Sequence, residues 1–510
     1  MTHAVKKEVL VCCCTGLILC VLGAGMIPLV NWIIQHKVEQ SVVLVEGGAT
    51  YEIWKDTPIP VYMQFYMFDV KNPDEVLQGK KPFVLQRGPY IYREVRTKYD
   101  ITHNDNGTVS YRQNRTFHFV RNMSVGEEND HFITPNPVYW SLISSLKWMF
   151  PGIHEIVRLV TSYEKESVFM NRSMYDIIWG YEDKMLAAAQ NLDPNWFYTD
   201  TIGYFMNKNA TNDGVYTIFT GEDNIQFLGG IDRYNGSRYL DFWSTSYANM
   251  INGTDGTIGP PYRSKDEPSP VFSSDVCRSA AGMYDRDVTS PQGIKLWRYI
   301  APPSYLANAT ENPDNIGFCT PESNCLNSGM LNISTCQIVD FFHIPVSVSF
   351  PHFNLAAQVY KDSVVGLDPV EDEHQTTVDK EPYTGLVLQV AKKIQLNMYI
   401  QPIGEFEATK DITPVFVPLF WVNESAVVDD ANADLLKSML FTPLKVVHII
   451  ELLLIGLGCL LLIVTIIYGL YHQQTKRKEL FSPKKCNINC FQRSQRSADL
   501  DGLDKPLFSG

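Results

Sequence analysis

Two long uncharged runs, Val9 to Val30 and Leu452 to Tyr471, constrain this chain more than any other feature. They contain 22 and 20 residues. A helix rises ~1.5 Å per residue and the hydrocarbon core of a bilayer is ~30 Å thick, so each run is long enough to cross. Lys6 and Lys7 precede the first run, and Lys476, Arg477 and Lys478 follow the second. The positive-inside rule then places both ends in the cytosol. The division this implies is a cytosolic N-terminus 1–8, a span 9–30, an extracellular or lumenal domain 31–445, a second span 446–471 and a cytosolic tail 472–510. A cleaved signal peptide competes for the first run, with Gly23, Ala24 and Gly25 offering small residues to a peptidase. Its apolar stretch exceeds the ~7 to 15 residues usual for such a segment.

Sequons support the same topology independently. Ten N-x-[ST] triplets, at Asn106, Asn114, Asn122, Asn171, Asn209, Asn235, Asn252, Asn308, Asn332 and Asn423, all fall between the two runs. They are expected to carry N-glycans where exposed in a secretory compartment. The chain has a formal charge of -13; its two ends hold +1 and +4, which leaves -18 for the remainder. So acidic a domain argues against nucleic acid or heparin as the main partner.

The eleven cysteines sort by compartment. Cys12, Cys13, Cys14 and Cys20 lie in the first run, Cys459 in the second, and Cys486 and Cys490 in the tail. Only Cys277, Cys319, Cys325 and Cys336 face outside, an even number that suggests two disulfides in an oxidising compartment. A zinc site competes, but the spacings form no paired C-x-x-C knuckles. Cys12 to Cys14, Cys486 and Cys490 stand close enough to the cytosolic face for S-acylation, against the plainer reading that the first three pack as small apolar residues.

With 45% apolar and 19% charged residues, the chain has the means to build a core. Val61, Met63, Phe65 and Met67 alternate with Tyr62, Gln64, Tyr66 and Phe68, and Ile394, Leu396, Met398 and Ile400 alternate with Gln395, Asn397, Tyr399 and Gln401. Period two predicts antiparallel strands at both ends of this domain. Between them, Ile153, Ile156, Val157 and Val160 recur at helical spacing, as do Met174, Ile177, Ile178, Tyr181 and Met185, with Ser173 and Asp176 as a capping box. Trp148, Met149 and Phe150 read either as helix packing or as an exposed contact surface.

The sequence contains no G-x-S-x-G elbow, phosphate-binding loop or dinucleotide fingerprint, and we expect neither an enzyme nor a cofactor. His154-Glu155-Ile156-Val157-Arg158 misses the H-E-x-x-H zinc pattern because Arg158 replaces the second imidazole. Glu371, Asp372 and Glu373 with His374 lack the glycine-pivoted spacing of a calcium loop and read as a solvated turn. No metal site is expected. Trimeric two-span channels share this topology, but their ectodomains are richer in cysteine and their pore helices need inward polar positions.

Read in order, nine motifs carry a resemblance. They are Pro58-Ile59-Pro60-Val61-Tyr62, Phe68-Asp69-Val70-Lys71-Asn72-Pro73, Arg87-Gly88-Pro89-Tyr90-Ile91-Tyr92-Arg93-Glu94, Trp179-Gly180-Tyr181, Asn212-Asp213-Gly214-Val215-Tyr216, Ile251-Asn252-Gly253-Thr254-Asp255-Gly256, Cys277-Arg278-Ser279, Pro351-His352-Phe353, and Gly366-Leu367-Asp368-Pro369 leading to His374, Asp379, Pro382 and Thr384-Gly385. The domain resembles the class B scavenger receptor family along nearly its whole length. That resemblance implies an α+β membrane protein, with an irregular antiparallel β-barrel, a helical apex, an apolar tunnel and two flanking transmembrane helices.

It also implies binding of lipids, lipoproteins or anionic phospholipid and transfer of apolar lipid toward the membrane, at the cell surface or in lysosomes. The residues meeting a ligand at the apex would be Trp148, Met149, Phe150, Ile156, Leu159 and Lys165. A homo-oligomer is compatible with this reading. Gly317-Phe318-Cys319 and Asn324-Cys325-Leu326 look most like the family's lysosomal member, which implies the pairs Cys277–Cys336 and Cys319–Cys325 and, as an alternative role, delivery of a soluble lysosomal hydrolase. Ala248 stands where relatives have a further cysteine. Two departures count against copying that role. Arg172 replaces a histidine proposed as a pH switch, and arginine keeps its proton throughout the endosomal range. Asp504-Lys505-Pro506-Leu507-Phe508 only approximates an acidic dileucine signal. Compared with the fatty-acid-binding surface member, Lys165 matches one of two apical lysines, while Tyr163 replaces the other.

Overall fold

The computed structural model describes residues 3–146, 154, 157–158, 161, 168–192, 194, 198–320, 325–336, 338–339, 342–404 and 406–480. The chain forms two compact units, Met1–Trp32 with Thr442–Gly510, and Ile33–Phe441.

The first unit is built from the two apolar runs. Helices His3–Val42 and Thr442–Leu480 each extend past the uncharged residues that define them. Glycine sets their approach. A Cβ on Gly23 would lie 2.7 Å from the Ile455 side chain, and one on Gly458 would lie 2.6 Å from Cys20 Sγ. Such contact needs a missing side chain, as at small-residue crossings in membranes. Cys20 and Cys459 face each other with sulfurs 3.7 Å apart.

In the second unit the alternation at Val61 becomes the strand Val61–Val70, which pairs antiparallel with Val415–Val427 on one side and Val84–Asn104 on the other. The sheet runs in the order Ser269–Ser273, Arg278–Thr289, Lys295–Ile300, Thr377–Lys380, Val387–Ile400, Val415–Val427, Val61–Val70, Val84–Asn104, Thr108–Phe119, Val215–Phe219, Ile231–Tyr234. Its two edges meet. Ile231 N donates to Gly253 O at 2.8 Å and Phe272 N to Thr254 O at 2.9 Å, so the segment at Thr254 closes the sheet into an irregular barrel. Gly253 is required at this seam, because its φ is +95° and a Cβ there would lie 2.3 Å from the Pro270 backbone.

The helical insert has a different form from the expected one. Ser173 and Asp176 do make a capping box, but the helix it starts, Met174–Trp179, stops at Gly180, whose φ is 117°. Tyr181–Glu182 is a short strand, and a new helix runs Lys184–Leu192. Met174 to Met185 is therefore two helices, because glycine turns the chain before the third turn. Leu142 and Ile143 lie buried in the helix Pro137–Ser145, capped by Asn136. Two disulfides, Cys277–Cys336 and Cys319–Cys325, are present.

Val38, Val42 and Leu440, at the two ends of this unit, pack in one cluster with Trp54, Tyr111, Ile258 and Phe272. Both chain ends therefore leave from the same side of the barrel.

Candidate functional site in the barrel interior

Side chains two apart on a strand share a face. The inward face is marked by aromatic rings: Phe65 packs on Tyr92 and Phe205, and Trp179 on Tyr92 and Phe117, with centroids 5.1 to 5.8 Å apart. The register carries that face onward, since Phe117 pairs with Glu94 and Arg115 with Arg96, while Met63 pairs with Glu424 and Glu424 with Lys392. Apolar residues are thus followed along the inner wall by charges.

Six charges form one waist. Arg115 Nε lies 2.7 Å from Glu94 Oε1 and Arg96 Nε 2.8 Å from the same oxygen. Arg96 also pairs with Glu424. Lys392 Nζ is 2.6 Å from Asp275 Oδ2 and 3.4 Å from Glu424, and Arg115 is 3.4 Å from Asp275. Three cations meet three anions. Burial opposes ionisation of Asp275, but Lys392 and Arg115 outweigh it and hold the carboxyl far below its usual range. Burial likewise opposes the charge on Glu424, and Lys392, Arg96 and Arg115 bring its pKa down to about 2. Burial disfavours the Lys392 cation, yet Asp275 and Glu424 push its pKa up. Although burial is the largest influence on Asp275 and Lys392, they keep 33% and 27% of their side-chain surface.

The strand Val387–Ile400 carries the same face in apolar form. Its inner residues Val390, Ile394 and Leu396 are half-buried and Met398 and Ile400 fully buried, as are Gln395 and Asn397 on the opposite face. The polar face is sealed by hydrogen bonds. Gln395 Nε2 donates to Asn397 Oδ1 at 2.7 Å, and Gln395 Oε1 accepts from His352 N at 2.6 Å. His352 Nδ1 accepts from Asp368 N at 3.0 Å, which leaves Nε2 to donate to Gln86 at 2.6 Å. The His352 ring stacks on His374 at 4.5 Å. Burial, then His374, lowers the pKa of His352 to about 3, and burial lowers that of His374.

All six residues of the apical ligand set, Trp148, Met149, Phe150, Ile156, Leu159 and Lys165, fall outside the described residues, as do Cys486 and Cys490. Arg172 stands over the Tyr181 ring at 4.6 Å. Cys12, Cys13 and Cys14 are exposed on the first helix. Of the sequon asparagines, Asn106, Asn122, Asn171, Asn209, Asn235 and Asn252 are exposed, and Asn114, Asn308, Asn332 and Asn423 half-buried. Asn308 and Asn332 give their side-chain N–H to Leu326 O and Thr320 O. Glu371, Asp372 and Glu373 are exposed, but His374 is buried in the network above. Among the described residues, no cluster of three or more His, Cys, Asp or Glu side chains has metal-ligating geometry.

The waist was missed from sequence, although one signal for it exists. Glu94, Arg96 and Lys98 put three charges at period two on one face of a strand, and such a pattern belongs either to solvent or to a water-accessible interior. Lys98 is buried and donates to Trp54 O at 2.7 Å, tying the helix Ala49–Lys55 to this face.

Residues 14–469 match the CD36 family. The pig scavenger receptor class B member 1 is 35% identical over 460 residues, 90% of this chain and 89% of that protein. The mouse and human lysosome membrane protein 2 are each 37% identical, over 82% of this chain and 85% of theirs. The chain has an α+β architecture with a large antiparallel sheet and two membrane-spanning helices, and it belongs to the CD36 family of class B scavenger receptors.

Proposed function

We propose that the ectodomain captures lipid or lipoprotein and passes apolar lipid, such as sterol, steryl ester or acyl chain, through the barrel interior toward the membrane. The observation that carries this is the half-buried state of Val390, Ile394 and Leu396 on the inner face of a closed barrel, where part of their apolar surface is not covered by protein. A hydrocarbon chain in that space would avoid the ~0.8 kcal/mol per methylene that water exacts, or on the order of 10 kcal/mol for twelve methylenes. Movement needs no nucleotide or ion gradient and should run in both directions. The loss of Met149, Phe150 or Ile156 at the capture segment should lower lipoprotein binding without altering the barrel. Both termini are assigned to the cytosol and glycans to the exposed sequons.

The test is a Val390→Cys receptor, modified with a bulky thiol reagent and presented with lipoprotein carrying labelled steryl ester and labelled protein. Ester uptake should fall several-fold while the protein label binds as before. Equal ester uptake before and after modification, with equal lipoprotein bound, removes the barrel as the route. Weak ester uptake even without modification, together with a soluble hydrolase co-purifying with the receptor, would favour the lysosomal-carrier role instead.

A further inference from the structure

Lys380 shares the inner face. It pairs in register with Trp297, and two residues earlier Val378 pairs with Tyr299 and Val390. Its ammonium lies 5.6 Å from the centre of the Tyr299 ring and donates to Ser269 Oγ. No carboxylate among the described residues comes within 4.0 Å of it. The acids nearby are already engaged. Glu381 accepts from Thr384 N at 2.7 Å and Tyr383 N at 3.1 Å, Glu267 holds Arg263 at 2.6 Å, and Asp287 holds Lys265 at 2.7 Å. The charge acting on Lys380 is another cation, Arg263, and together with the dominant effect of burial it lowers the lysine to about 8. Enclosed lysines are ordinarily paired. The neighbouring surface is apolar, with Val378 and Val390 half-buried alongside. Gly259, where a Cβ would lie 3.9 Å from Nζ, belongs to the segment whose Ile258 packs with Val38 and Val42, at the end of the domain where the chain enters.

We infer that Lys380, with Ser269, binds the anionic head group of a single-chain amphiphile whose hydrocarbon lies along Val378 and Val390. This rests on the reading of the barrel interior as a lipid path and adds to it a charged docking point near the end where the chain enters. An anion there would supply the missing counter-charge, and the Ser269 hydroxyl is free to turn its proton toward the ligand. The site differs from the waist, where every charge already has an opposite.

The experiment uses the full-length receptor in nanodiscs, titrated with a labelled long-chain fatty acid, its methyl ester and a lysophosphatidic acid. Lys380→Met should weaken fatty-acid binding about tenfold or more at neutral pH and leave the ester unchanged, whereas Lys380→Arg should stay within about threefold of the parent. Because the anion binds the protonated amine, the parent's affinity should fall about tenfold between about pH 7 and about pH 9, and Lys380→Arg should lose that fall. A loss confined to lysophosphatidic acid would keep the site and assign its head group as phosphate. Acid binding as tight in Lys380→Met as in the parent overturns the site, and ester binding by both would leave the lipid path standing. If the parent binds the ester but neither anion, the site is likewise overturned; if it binds no probe, the lipid path fails as well.

Discussion

Lys392 and Lys380 stand on the same inward face of neighbouring strands, and protein encloses both, yet their surroundings push them in opposite directions. Asp275 and Glu424 hold the charge on Lys392, while among the described residues Lys380 has Arg263, a hydroxyl and the Tyr299 ring but no carboxylate. Burial acts against the cation in both cases. The difference teaches that enclosure does not decide what a buried lysine does; the number of opposite charges within reach does. A balanced cluster behaves as structure, and an unbalanced cation is left with capacity for a ligand.

The sharpest way to break this comparison is to neutralise one member of each. Lys392→Met strands Asp275 and Glu424 among too few cations and should destabilise by about 3 to 5 kcal/mol, the usual cost of an orphaned buried charge. Lys380→Met removes a charge that had no partner and should leave stability equal or higher. Chemical denaturation of the two variants reads this directly, and equal losses would mean that Lys380 has an acid partner in solution.

The disulfides sharpen the comparison next, because Cys277 follows the turn that carries Asp275. Cys277–Cys336 closes 59 residues and Cys319–Cys325 only six. Loop-closure entropy then predicts ~4 kcal/mol for the first and ~2 for the second. Serine pairs at each bridge, compared by thermal unfolding, test the order. Loss of the first should also loosen the waist, seen as faster amide exchange in Val387–Ile400.

The smallest effect comes from the outer, polar face of the same strand. His352 is held neutral, with its pKa lowered from about 6.5 to about 3. Below about pH 6.5 the unfolded chain takes up a proton that the folded one refuses, so stability falls as pH drops toward about 3 and is restored as pH rises. At about pH 5 the loss from this one group is about 2 kcal/mol. His352→Asn should be less stable at neutral pH but show a shallower decline on acidification. A decline as steep as the parent's would assign the acid sensitivity to other groups.

The alternation from Val61 was legible because a strand facing a core needs apolar residues every second position, and that strand is indeed buried on its Met63 and Phe65 side. The same rule found the antiparallel strand at Ile394 to Ile400. There Ile394 and Leu396 are half-buried and Met398 and Ile400 fully buried, while Gln395 and Asn397 on the opposite face are sealed as well, by hydrogen bonds to the Pro351–Phe353 turn and to Ser349. Period two reveals that two faces differ, and does not reveal which of them is enclosed. The helix from Met174 was visible in its start, at the Ser173 cap, but its end depended on Gly180 and on the partner strand Thr201–Ile202.

Sequence by itself determined the membrane spans and the presence of an even set of four cysteines between them. Those features follow from transfer free energy and redox chemistry that act on short segments, whatever the fold around them. Tertiary structure alone decided how the barrel closes at Thr254, how Glu94, Arg96, Arg115, Asp275, Lys392 and Glu424 become one waist, and why Lys380 is left out of it. Charge balance in an enclosed space is a sum over residues brought together from distant parts of the chain, and no local stretch of sequence contains that sum.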